Sequence, residues 1–118
     1  MKNRKLGVLA AHRKAMLRNL ATSLVLHGKI TTTHKRALEL RTVADKLVTL
    51  AKRNDLAARR QAAQILFNAR NKDNKTALQV LFDEVGPKYT TRNGGYTRVL
   101  KTVQRRGDAS EMAQIEFV

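Results

Sequence analysis

From about Ala11 to His27 the apolar positions Leu17, Leu20, Ala21, Leu24 and Val25 recur at i, i+3, i+4, i+7 and i+8, one face of a helix, with Arg18, Asn19, Thr22 and Ser23 opposite. Gly28 supplies a C-cap. The run Lys29-Ile30-Thr31-Thr32-Thr33 is short and β-branched, so it predicts a strand ending at a Thr suited to cap a second helix. That helix carries the stripe Leu40, Val43, Ala44, Leu47, Leu50 and Ala51. Asn54 or Asp55 can cap a third, with Leu56, Ala63, Leu66 and Phe67 as its apolar face. A fourth is expected from near Asn74, showing Leu78, Leu81, Phe82 and Val85, and ending at Gly86-Pro87, where proline cannot continue a helix and glycine accepts a left-handed cap.

After Pro87 the period changes to two. Tyr96 to Arg105 alternates through Val99 and Val103, and Glu111 to Val118 alternates through Ala113, Ile115 and Phe117. Arg106-Gly107-Asp108-Ala109-Ser110 between them is turn chemistry, which predicts an antiparallel hairpin. Helix, strand, three helices and two strands imply an α+β, two-layer fold with helices packed on one face of a small sheet. One domain over residues 1–118 is expected, with 1–10 as a basic N-terminal extension. No internal repeat or low-complexity segment interrupts it.

Charge changes the picture from scaffold to partner. The 118 residues hold 24 Lys plus Arg against 9 Asp plus Glu, a formal net charge of +15 with a pI near 11.2. Such a chain attracts polyanions, with nucleic acid the commonest. From Met1 to Leu38 the cations Lys2, Arg4, Lys5, Arg13, Lys14, Arg18, Lys29, Lys35 and Arg36 occur without one carboxylate. Gly86 to Gly107 repeats the bias with Lys88, Arg92, Arg98, Lys101, Arg105 and Arg106. Between the blocks the charge is near balance, and that middle stretch reads as scaffold. No apolar run approaches the ~20 residues of a membrane helix.

Catalytic chemistry finds no constellation. The chain has no cysteine, which removes disulfides, zinc knuckles and thiol nucleophiles and gives the cytosol a slight preference. His12, His27 and His34 lack metal-site spacing, and Asp83 and Glu84, adjacent on a helix, diverge by about 100°. Ser23 and Ser110 have no nucleophile-elbow glycines. No enzyme activity, cofactor, metal or small-molecule substrate is therefore expected.

The string Arg92-Asn93-Gly94-Gly95-Tyr96 supports two readings at once. It is a glycine turn feeding a strand, and it is a place where backbone can approach phosphate, with Arg92 as a bidentate fork and Tyr96 free to stack on a base or ribose. Aromatics are few, three Phe and two Tyr, and the Phe fall on expected core faces. Contacts to nucleic acid should then be mainly to phosphate and shape. Composition alone leaves open a basic DNA-binding architectural protein, and less readily a peripheral membrane protein using its first helix.

Arg4-Lys5-Leu6-Gly7, the run from His12 to Leu20, Ile30-Thr31-Thr32-Thr33, Ala58-Arg59-Arg60-Gln61-Ala62, Leu81-Phe82 and Arg92-Asn93-Gly94-Gly95-Tyr96-Thr97-Arg98 occur in an order that resembles the bacterial ribosomal protein L-seventeen family. Arg105-Arg106-Gly107-Asp108-Ala109 and Ile115-Glu116 extend the likeness over essentially the whole chain. The resemblance implies a non-enzymatic constituent of the large ribosomal subunit, in the cytoplasm, that binds large-subunit rRNA near the polypeptide tunnel exit. It also implies neighbours such as the L-twenty-two and L-thirty-two proteins. On this reading the rRNA-binding residues are Lys2, Arg4, Lys5, His12, Arg13, Lys14 and Arg18 in the first block. In the second they are Arg92, Asn93, Gly94, Gly95, Tyr96, Arg98, Lys101, Arg105 and Arg106. The chain departs from the family pattern at Asn3, at Val8-Leu9-Ala10-Ala11 and at Ser110-Glu111.

Overall fold

Leu17, Ala21, Leu24 and Val25 are buried along one side of α1, Ala10–His27, as their spacing requires. The computed structural model describes residues 10–118, so the expected basic extension, with Lys2, Arg4 and Lys5, lies outside the described residues. Thr22, expected on the outer face, is buried instead. Its hydroxyl donates to the Arg18 carbonyl at 2.8 Å and accepts from the Phe67 N–H at 3.0 Å, which satisfies it inside the core.

Gly28, at φ +81°, ends α1 with its N–H on the Leu24 carbonyl. The strand β1, Lys29–Thr33, follows, and the Thr33 hydroxyl caps α2, His34–Arg53, by accepting from the Arg36 N–H. Ala37, Leu40, Ala44, Leu47, Val48 and Ala51 of α2 form the spine of the core. Asn54 closes α2 in the left-handed region, and Asp55 caps α3, Leu56–Ile65. The face of α3 is phased differently from the sequence expectation. Asp55 as cap makes Leu56 the first helical residue and leaves it 65% exposed, while Ala58, Ala62 and Leu66 point inward and Phe67 lies beyond the helix.

The fourth helix starts at Ala77 with Thr76 as its cap, a few residues after the Asn74 start expected from sequence. Thr76 and Gln79 form a reciprocal capping box, and Asn74 sits at φ 62° in the preceding turn. From α4, Ala77–Val80, the chain does not stop at Gly86-Pro87. It widens into a π-turn over Leu81–Val85 and tightens into a 3-10 turn over Gly86–Tyr89. The Gly86 N–H reaches back five residues to the Leu81 carbonyl, and Gly86 keeps right-handed angles, φ −53° and ψ −50°. The wider turn accommodates Pro87, which has no N–H to give.

Two further strands, β2 (Thr97–Lys101) and β3 (Met112–Phe117), complete a three-stranded antiparallel sheet in the order β1-β3-β2. The hairpin is present, but β2 ends early, and Val103 is 86% exposed beyond it. Register puts Ile30, Ile115 and Val99 side by side on the helix-covered face and Lys29, Glu116 and Arg98 on the open one. The fold is α+β, with helices on one face of the sheet.

Candidate nucleic-acid interface

The sheet and α2 separate the expected site into two ends. At one end Thr33 pairs with Met112, Lys101 with Ala113, and the His34 N–H donates to the Glu111 carbonyl. The hairpin turn bearing Arg105 and Arg106 therefore sits by the start of α2. Arg13, near the start of α1, joins this end by donating to Glu39 of α2 at 2.7 Å, which brings His12 and Lys14 with it. At the other end Lys52, in the last turn of α2, donates to the Arg92 carbonyl, and the Val118 N–H donates to the Tyr96 carbonyl. Glu39 and Lys52 are about 20 Å apart along the helix axis at 1.5 Å per residue.

The acid-free blocks do not remain acid-free in space. Carboxylates just outside them fold back onto their cations: Glu39 onto Arg13, Glu116 onto Arg98 at 2.6 Å, Glu111 toward Lys101 at 3.9 Å, and Asp108 onto Arg105. Asp108 also accepts from the Ser110 N–H, and the Arg105 guanidinium holds its carboxyl far below the usual carboxylate range. Arg18 is half-buried and held against the end of α3. Its Nε donates to the Ile65 carbonyl at 3.0 Å and its guanidinium lies 4.3 Å from the centre of the Phe67 ring. Exposed cations of the expected site with no carboxylate partner among the described residues are Lys14, Arg92 and Arg106.

Tyr96 corrects the stacking expectation. It is 4% exposed, edge-on to Tyr89 with ring centres 5.2 Å apart, and a base could reach its face only by displacing core. Its hydroxyl accepts from Lys52 Nζ at 2.9 Å and donates to the Arg92 carbonyl at 3.1 Å. The lysine contact is the main reason the hydroxyl lies below the ordinary phenol range. Tyr96 thus anchors the loop that presents Arg92 and Asn93. Lys52 was not legible as part of this site, because 44 residues separate it from Tyr96 and no local pattern marks it.

Gly94 and Gly95 both adopt positive φ, +85° and +63°, and an added Cβ would meet nothing within 4 Å at either. The turn requirement is therefore met by backbone conformation alone. The loop they form is exposed from Thr91 to Gly95, leaving its backbone open to an anion.

A family model described as Ribosomal protein L17 matches residues 16–118. The chain belongs to the ribosomal protein L17 family. It is 56% identical to the large ribosomal subunit protein bL17 of Staphylococcus carnosus over 119 residues, 98% of each chain. It is 54% identical to that of Leuconostoc citreum, covering 100% of this chain and 99% of the relative. The Moorella thermoacetica protein of the same name is 52% identical over the full length of both. As an L17-family protein the chain is a structural component of the large ribosomal subunit in the bacterial cytoplasm and not an enzyme. Among the described residues no helix is long and apolar enough to cross a membrane.

Proposed function

We propose that this L17-family chain is a single domain with a basic N-terminal extension that binds large-subunit rRNA through phosphate contacts at its two cationic ends. In doing so it lets RNA helices pack near the polypeptide tunnel exit, beside proteins such as L-twenty-two and L-thirty-two. What carries the reading is the net charge of +15 on a chain whose few acids are largely occupied by its own side chains and caps. Lys14 and Arg106 serve the hairpin end, and Lys2, Arg4 and Lys5 of the extension add to the positive charge of the chain. Arg92, Asn93 and the open backbone of Gly94 and Gly95 serve the other. Arg98, Lys101 and Arg105 retain exposed charge that phosphate can share with their carboxylates.

Neutralising about six phosphates would release their counterions, so log affinity for large-subunit rRNA should fall against log salt with a slope of roughly −4 to −5. A flat salt dependence, or failure of the tagged chain to comigrate with large subunits in a gradient, overturns the reading. Arg92→Ala should weaken incorporation while leaving the melting temperature unchanged, because its side chain makes no intramolecular hydrogen bond among the described residues.

A further inference from the structure

The middle of the chain is near neutral in sequence, but folding takes its acids away from the outer face of α2. Glu39 is buried against Arg13, Asp45 is half-buried with the Thr97 hydroxyl on its carboxylate, and Asp55 is occupied as the cap of α3. Asp73, Asp83 and Glu84 belong to the segment around α4, which meets α2 on its buried side, at Ala51. What remains on the outer face is a stripe. At 100° per residue, Lys35, Thr42, Lys46 and Arg53 fall within about 40° of one another, and all four are exposed.

Lys35 and Lys46 have no carboxylate partner among the described residues, and Arg53 shares Asp55 in an exposed pair at 3.2 Å. The stripe joins the two ends described above. Lys35 follows His34, which is bonded to Glu111 beside Lys101, and Arg53 follows Lys52, which holds the Arg92 carbonyl. It runs about 27 Å along the helix.

We infer that the outer face of α2 is itself a phosphate-binding surface that carries a stretch of RNA backbone between the hairpin end and the glycine-loop end. The inference rests on the RNA-binding reading and adds to it a surface that starts at Lys35, near the end of the first basic block, and continues through Thr42, Lys46 and Arg53 in the charge-balanced part of the sequence. The chemistry fits a phosphodiester backbone. Lysines act as point charges that need no particular orientation, and the Thr42 hydroxyl adds a donor for a phosphate oxygen. A narrow, predominantly cationic stripe, with Asp55 at its Arg53 end and no exposed aromatic among the described residues, offers nothing for base stacking.

The test uses the full chain and deproteinised large-subunit rRNA, with affinity measured across a salt series. The double variant Lys35→Gln/Lys46→Gln should reduce the magnitude of the slope by about 1.4 to 1.8, the sum of two phosphate contacts. Lys35→Arg/Lys46→Arg should keep the parental slope, as should Lys72→Gln, an exposed cation in the α3–α4 connection. A double Gln variant with the parental slope, or an equal loss per charge at Lys72, overturns the inference and leaves the RNA-binding reading standing. A flat slope in the parent removes both. Should the double Gln variant melt below the parent, amine-modification footprinting of the unaltered chain in intact subunits decides the matter. Lys35 and Lys46 protected relative to Lys72 supports the surface, and equal reactivity of all three refutes it.

Discussion

A Cβ placed on Gly86 would lie 2.9 Å from the Cβ of Ala51 and 3.1 Å from its carbonyl oxygen. Here glycine is required by the close approach of two helical segments, and its backbone is ordinary right-handed helix. Gly86→Ala should therefore cost about 1–3 kcal/mol through overpacking, read as a lower midpoint in denaturant melting. Ala51→Gly in the same chain should recover part of that loss, since it removes the nearer of the two contacts. An unchanged midpoint for the single variant would show that the two segments can separate freely.

Gly95 poses the opposite case, open space with φ at +63°. Gly95→Ala should destabilise the free protein by about 1–2 kcal/mol through the left-handed backbone alone. Gly95→Asn should cost less, because asparagine tolerates that region better. Equal losses for Ala and Asn would point to a steric cause that the open surroundings do not provide.

Arg18 and Lys14 sit one helical turn apart on α1 and should respond differently. Arg18 bonds the Ile65 carbonyl and packs on Phe67, so Arg18→Ala should lower the stability of the isolated protein by about 1–2 kcal/mol. Lys14 is exposed and has no such contact, so Lys14→Ala should leave thermal melting unchanged and weaken RNA binding. If Arg18→Ala melts like the parent, its charge faces outward in solution and it returns to the candidate site.

Acid should loosen the start of α3. The Asp55 carboxylate accepts from the Ala58 N–H at 2.7 Å, and that bond is the main reason its pKa is lowered. Between the folded and unfolded pKa values the native state binds fewer protons than the unfolded chain. This contribution is thus complete above the unfolded value of about 3.9 and is lost as pH falls through the lower folded value. Asp55→Asn keeps a cap and removes the titration. Its melting temperature should fall less steeply than the parent's below about pH 4, and a parallel decline would assign the acid sensitivity to other carboxylates.

The features legible in sequence are those set by interactions within a few residues. The stripe of α1, the β-branched run of β1 with Thr33 as cap, and the turn between β2 and β3 all depend on contacts from i to about i+4. The family strings likewise need no coordinates. Tertiary structure alone decided where local signals meet distant partners. Gly86-Pro87 reads as a stop until Ala51 is packed against it, and Tyr96 reads as an exposed ring until Tyr89 and Lys52, from other segments, enclose it. The hairpin register sets Glu116 opposite Arg98 and turns an acid-free block into a paired surface, and the sheet order β1-β3-β2, with the last strand in the middle, sets Lys29 on the other side of the same Glu116. Charge counted along a chain ignores such pairings, because Coulomb attraction acts through space and falls with distance between side chains, whatever their separation in sequence.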